Sequence, residues 1–172
     1  MTNPEQTFKI EFPSHAVLIS AADLSLNEFG AKVKDILGVL ESLLPGKKAN
    51  RLALISTSLF IGETEEYQSI YDKLFTYRDV TPFEWDNRIA QKINSPAVDV
   101  SLNHVSTIRR CFVSSVLINS GREVDSIMFE YDTNTTSEAT DFRYDWKKAI
   151  EIVEILVEHN SEQAKKTERY TK

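Results

Sequence analysis

The sequence predicts an α+β fold, a mostly antiparallel sheet with about three helices packed on it, and three observations carry that expectation. Ser25 and Glu28 open an apolar stripe at helical spacing. The stretch from Val98 to Tyr131 is β-prone and contains the turn Asn119-Ser120-Gly121-Arg122, and Asp141 to Asn160 is again apolar at helical spacing. Strands that cluster beside helices without strict alternation mark α+β rather than a parallel α/β sheet.

The elements follow in order. Phe8, Ile10 and Phe12 alternate as in a half-buried strand, and Ala16-Val17-Leu18-Ile19 suits a fully buried one. Pro13 marks a bend between them. Ser25 and Glu28 form the S-x-x-E capping box, in which each side chain satisfies an orphan amide of the first turn. Leu26, Phe29, Val33, Ile36, Leu37, Leu40, Leu43 and Leu44 make one stripe, and Pro45-Gly46 ends the helix. Leu52 to Ile61 reads as an inner strand closed by Gly62. A second helix starts with Thr64 as its cap and carries Tyr67, Ile70, Tyr71, Leu74 and Phe75 on one face. Pro82 to Pro96 has no sustained period and reads as loop with one turn of helix at most. Val105 to Ile118 and then Val124, Ile127 and Phe129 form the strands of a hairpin, followed by a polar break from Asp132 to Thr136. The last helix is apolar on more than one side, through Trp146, Ala149, Ile150, Ile152, Val153, Ile155, Leu156 and Val157. The organisation is a disordered stretch 1–6, one domain 7–160, and a polar tail or helix extension 161–172.

At 172 residues, with 41% hydrophobic and 27% charged residues, the chain has the balance of one globular domain. A chain of this size buries roughly 70% of its unfolded surface, so no staple is needed. The net charge of -6, from 20 basic and 26 acidic residues, speaks against a broad phosphate-binding surface. The single cysteine, Cys111, and the lack of an apolar leader or spanning run fit a cytoplasmic protein away from the membrane.

No residue pattern assembles a catalytic signature. His104 lies seven residues before Cys111, so on an uninterrupted strand the two point to opposite faces. The histidines lack metal-ligand spacing. Asp132-Thr133-Asn134-Thr135-Thr136 begins like a calcium loop, but Ser137 and Arg143 stand where glycine and glutamate belong, so a solvated turn explains it better. The five glycines are isolated, which leaves no phosphate cradle. No catalytic residue, metal or cofactor is therefore expected.

The segment Ile127-Met128-Phe129-Glu130-Tyr131-Asp132-Thr133-Asn134-Thr135, with Trp146 and the Ile150 to Asn160 helix behind it, resembles the C-terminal part of a sporadically distributed prokaryotic protein family without an assigned activity. That family ends in a strand with a hydrophobic-Asp-x-Asp motif and an amphipathic helix; Asn134 replaces the second aspartate here. Asn50-Arg51-Leu52-Ala53-Leu54-Ile55 is similar to another strand of that family. The resemblance spans the later two thirds and implies an architecture but no mechanism.

The functional expectation is a non-enzymatic cytoplasmic protein that acts through protein contacts as a homo-oligomer or with a protein partner, motivated by the two-sided last helix. The alternative is a small-molecule binder or enzyme with a cleft near Trp85, Arg88 and His104. Phe83 joins these as a contact residue, since aromatics beside arginine suit recognition. A role as an accessory of a nucleic-acid system ranks third.

Overall fold

In the computed structural model, residues 2, 7–95, 99–136 and 140–172 are described, the side chains of 117 and 119 excepted. The expected disorder of 1–6, apart from Thr2, and the positions of Pro96, Val98 and Ser137 lie outside the described residues.

Ser25 caps helix α1 (Leu26–Leu43) by accepting from the Glu28 amide, while the Glu28 carboxylate accepts from the Ser25 N–H at 2.9 Å. Before it, β1 (Phe8–Glu11) and β2 (Leu18–Ala21) form a separate antiparallel ribbon. The second apolar run is therefore not a fully buried strand. Only Ile19 packs on α1, and Val17 and Leu18 face solvent because a two-stranded ribbon has just one side to cover.

Strand β3 (Ala53–Phe60) leads to α2 (Thr64–Leu74), whose cap is Glu63 rather than Thr64. The Glu66 carboxylate closes that turn by accepting from the Glu63 N–H at 2.8 Å. The stretch expected to be loop is β4 (Trp85–Ser95), an eleven-residue strand. It lacks alternating burial from Arg88 to Lys92, where it lies at a sheet edge with little covering either side. β5 (Val100–Ser114) is followed by a one-turn helix α3 (Val116–Asn119) and β6 (Glu123–Thr135). Ser120 and Gly121 turn the chain with positive φ of 49° and 80°, and Ser114 Oγ donates to the Gly121 carbonyl. The Asp132 to Thr136 segment is thus no solvated break. Thr133 and Thr135 lie fully buried in β6, where Asn160 of helix α4 (Trp146–Thr167) and His104 satisfy Thr133 and the Leu52 backbone satisfies Thr135.

The four-stranded sheet runs β3-β6-β5-β4, antiparallel throughout. β3 is an edge strand and not an inner one. The fold is α+β, with the helices gathered on one face. Leu54, Leu102, Ile108, Ile127, Phe129 and Tyr131 point to that face and supply the sheet's share of the core. α4 lies over β3 and β6, and α1 packs against α4. The breadth of the apolar surface on α4 is thus covered within one chain, by the sheet and by Val33, Leu37 and Leu40 of α1. The segment expected as a polar tail or helix extension, 161–172, is helical as far as Thr167 in α4 and forms a 3-10 turn at Glu168–Tyr170. Ala164 and Tyr170 pack on the cluster formed by α2 and the sheet. Among the described residues no helix is long and apolar enough to cross a membrane.

Candidate functional site

β4 is fixed at its first residue, packs again on the core at Ile93, and is exposed between, from Arg88 to Lys92. Arg110 on β5 donates to the Pro82 carbonyl at 3.0 Å, pairs with Asp125 at 2.7 Å and lies 4.9 Å from the centre of the Tyr67 ring. These contacts hold the chain as it joins the sheet. Trp85 is then buried between Tyr71 and Phe75, with ring centres 6.1 and 5.6 Å away. From there side chains alternate. Asn87, Ile89, Gln91 and Ile93 share the helix side with Trp85, and Asp86, Arg88, Ala90 and Lys92 point to the bare side. α2 reaches only as far as Trp85, and α4 lies over the other half of the sheet. As a result Arg88, Ile89, Ala90, Gln91 and Lys92 are all exposed, Ile89 at 60%. Among the described residues β5 is the only strand paired with β4, so its outer row of backbone donors and acceptors lies at the margin of the sheet.

A shallow pocket of about 440 Å³ opens beside the start of this strand, lined by Glu84, Asp86, Arg109, Cys111 and Phe112 among others. Burial raises the Cys111 thiol above its ordinary value, which makes it a poorer nucleophile. A second open hollow, of about 530 Å³, lies between Asp99, Thr136, Arg143 and Lys148. Its cations are already engaged, Arg143 with Asp141 at 3.3 Å and Lys148 with Glu151 at 3.3 Å.

The four residues singled out from sequence occupy four different settings. Phe83 is exposed ahead of β4, Trp85 is in the core, Arg88 is on the bare face, and His104 is buried on the helix face. Trp85 and Arg88 lie three residues apart on one strand and so face opposite sides. The structure does not bring them into one cleft.

His104 belongs instead to a buried polar seam whose hydrogen bonds have one direction. The Asn160 amide nitrogen faces two backbone carbonyls, Leu54 at 3.3 Å and Tyr131 at 3.1 Å, and also Ser56 Oγ at 3.1 Å. Carbonyls only accept, so the opposite atom, Oδ1, must accept in turn, and the Thr133 hydroxyl donates to it at 2.6 Å. With its one proton committed, Thr133 Oγ1 accepts from His104 Nδ1 at 2.8 Å. The imidazole therefore carries its proton on Nδ1. Its Nε2 is a bare lone pair, buried without a hydrogen-bond partner among the described residues. Burial, then the neighbouring His159 ring with its centre 4.5 Å away, pulls the His104 pKa down to about 4. His159 is lowered as well, chiefly by burial. The seam holds a neutral histidine and ties β5, β6, β3 and α4 together. Ser56 and Asn160 went unread in the sequence because isolated hydroxyls and amides carry no spacing signal, and Thr133 reads there as part of a solvated turn.

Compared with protein-family models, with curated proteins and with solved structures, the chain has no significant match in any of the three. The fold and its surface define the class: an α+β protein with a one-sided sheet and a long exposed marginal strand.

Proposed function

We propose that this is a non-enzymatic cytoplasmic protein that works by binding protein, with the margin of β4 as its contact surface. The observation that carries the reading is the run Arg88 to Lys92, exposed along five consecutive strand residues at a sheet margin. Sheets commonly shield such margins with short strands, prolines, bulges or a covering helix. Here eleven residues lie in extended geometry, and a strand added alongside would complete the ladder by backbone bonds. The mixed charges of Asp86, Arg88 and Lys92 give that contact selectivity beyond the backbone.

The test is photocross-linking in living cells, with a photoreactive amino acid in place of Arg88 or Ala90 and, as control, Glu158 on the exposed side of α4. Protein adducts at the β4 positions and none at Glu158 are expected. Equal labelling at all three, or none at the β4 positions, would overturn the proposal.

A further inference from the structure

We infer that the protein bound by β4 is a second copy of this chain, the two strands running antiparallel about a two-fold axis at Ile89 and merging two four-stranded sheets into one. The inference rests on the reading of the β4 margin just given and names its partner. Two-fold pairing of one strand with itself places each residue opposite the one equally far beyond the axis, on the same face of the joined sheet. The choice of axis is therefore a choice of register, and the side chains discriminate among registers.

With the axis at Ile89, Asp86 lies opposite the partner's Lys92 and Lys92 opposite the partner's Asp86, two opposite-charge pairs on the bare face. On the other face Ile89 meets the partner's Ile89, Asn87 meets the partner's Gln91, and Trp85 meets the partner's Ile93. Apolar side chains thus meet apolar ones, and amide meets amide. A shift of the axis to Arg88 sets that guanidinium against the partner's Arg88. A shift to Ala90 sets Arg88 against the partner's Lys92. Both place like charges directly across the ladder, which is unfavourable. An axis at Asn87 again matches opposite charges, Asp86 with the partner's Arg88, but overlaps only Trp85 to Ile89 within the strand. The Ile89 register shares the greatest length free of like-charge pairing with one centred on Gln91. Of the two only the Ile89 register pairs opposite charges, since at Gln91 Arg88 faces the partner's Asn94 and Lys92 the partner's Ala90. It also covers Ile89, the large apolar side chain exposed in the middle of β4.

Sedimentation velocity on the full chain, across the micromolar to submillimolar range, tests this with two charge reversals. Asp86→Lys alone sets lysine against lysine at both facing pairs, and Lys92→Asp alone sets aspartate against aspartate. Each variant by itself is expected to raise the dimer dissociation constant about tenfold or more. Mixed in equal amounts, the two variants should form a heterodimer of wild-type strength, since every facing pair is then opposite in charge. Both sites are exposed, and circular dichroism checks that each variant is folded. A wild-type chain that stays monomeric throughout, or a dimer indifferent to both reversals, overturns self-pairing. If the chain is monomeric while Arg88 and Ala90 still cross-link to another protein, self-pairing fails and the broader contact reading stands.

Discussion

The two margins of the sheet are built in opposite ways. β3 is eight residues long, and α4 lies across it, so that Asn160 reaches the Leu54 carbonyl and the Ser56 hydroxyl. The strand is also tied down ahead of its start, where Leu52 donates to Thr135 Oγ1 at 3.1 Å and Ala49 bridges Tyr144. β4 is eleven residues long and held near its two ends, at Trp85, with Arg110 gripping the chain just ahead of it, and at Ile93, which packs on the cluster that α4 forms with the sheet. Between those ends, from Arg88 to Lys92, the side chains are exposed on both faces. A margin held by side-chain hydrogen bonds adds to the stability of the domain, whereas one left open leaves its backbone for another strand.

The largest blow to the covered margin should come from Asn160→Ala. It strips the seam of the amide that serves the Leu54 and Tyr131 carbonyls and leaves the Thr133 hydroxyl without its acceptor. Buried polar groups left unpaired cost about 1–3 kcal/mol each. A total loss of ~3–4 kcal/mol is expected, read as a fall in the urea midpoint with an unchanged slope. A loss below ~1 kcal/mol would mean that the seam is not what holds α4 over β3.

Acid should act on the same margin with slightly smaller force. The folded His104 pKa lies below its ordinary 6.5, so the folded state favours the neutral ring. Its stabilisation is therefore complete above pH 6.5 and drains away as the pH falls from 6.5 through about 4. The drop from 6.5 to about 4 corresponds to ~3 kcal/mol, lost over that window. His159, shifted in the same direction, adds to the loss. Replacing His104 with Gln should flatten most of this slope in chemical denaturation at stepped pH; an unaltered slope would place the sensitivity elsewhere.

The smallest effect belongs to the open margin. Ile89→Thr should change the stability of the monomer by no more than about 0.5 kcal/mol, because an exposed side chain with little to pack on has little to lose. A thermal melt on dilute protein checks it. A large loss would show that β4 is a structural strand in its own right.

How much of this was legible in the sequence depends on whether burial imposed a period. α1 could be read nearly to the residue, because Ser25, Glu28 and the stripe behind them state a cap and a buried face together. β4 could not, because its middle is wet on both faces and has no reason to alternate; Arg88 to Lys92 shows none of the two-residue burial period that reveals strands. The end of β6 misled in the opposite sense. Asp132-Thr133-Asn134-Thr135 looks like a solvated turn by composition, yet Thr133, Asn134 and Thr135 are buried because distant partners complete the threonine hydrogen bonds, Asn160 on α4 for Thr133 and the Leu52 backbone for Thr135. Of the four candidate contact residues, the sequence identified groups of real structural weight in Trp85 and His104. It could not show that they and Arg88 face apart, since that depends on recognising β4 as a strand.

The strand order also bears on how the chain can be built as it is synthesised. β4, β5 and β6 are consecutive neighbours, so this meander can zip up as soon as its last strand emerges. β3 emerges far earlier, yet Ala53 must wait for Asn134 and Phe60 for Ile127, and α1 must wait for α4. Until then the first half of the molecule owns helices and a small ribbon but no sheet. A nascent chain that stalls before Glu123 would carry Leu54 and the apolar face of α1 with nothing to lie against, and so be a ready substrate for chaperones or proteolysis.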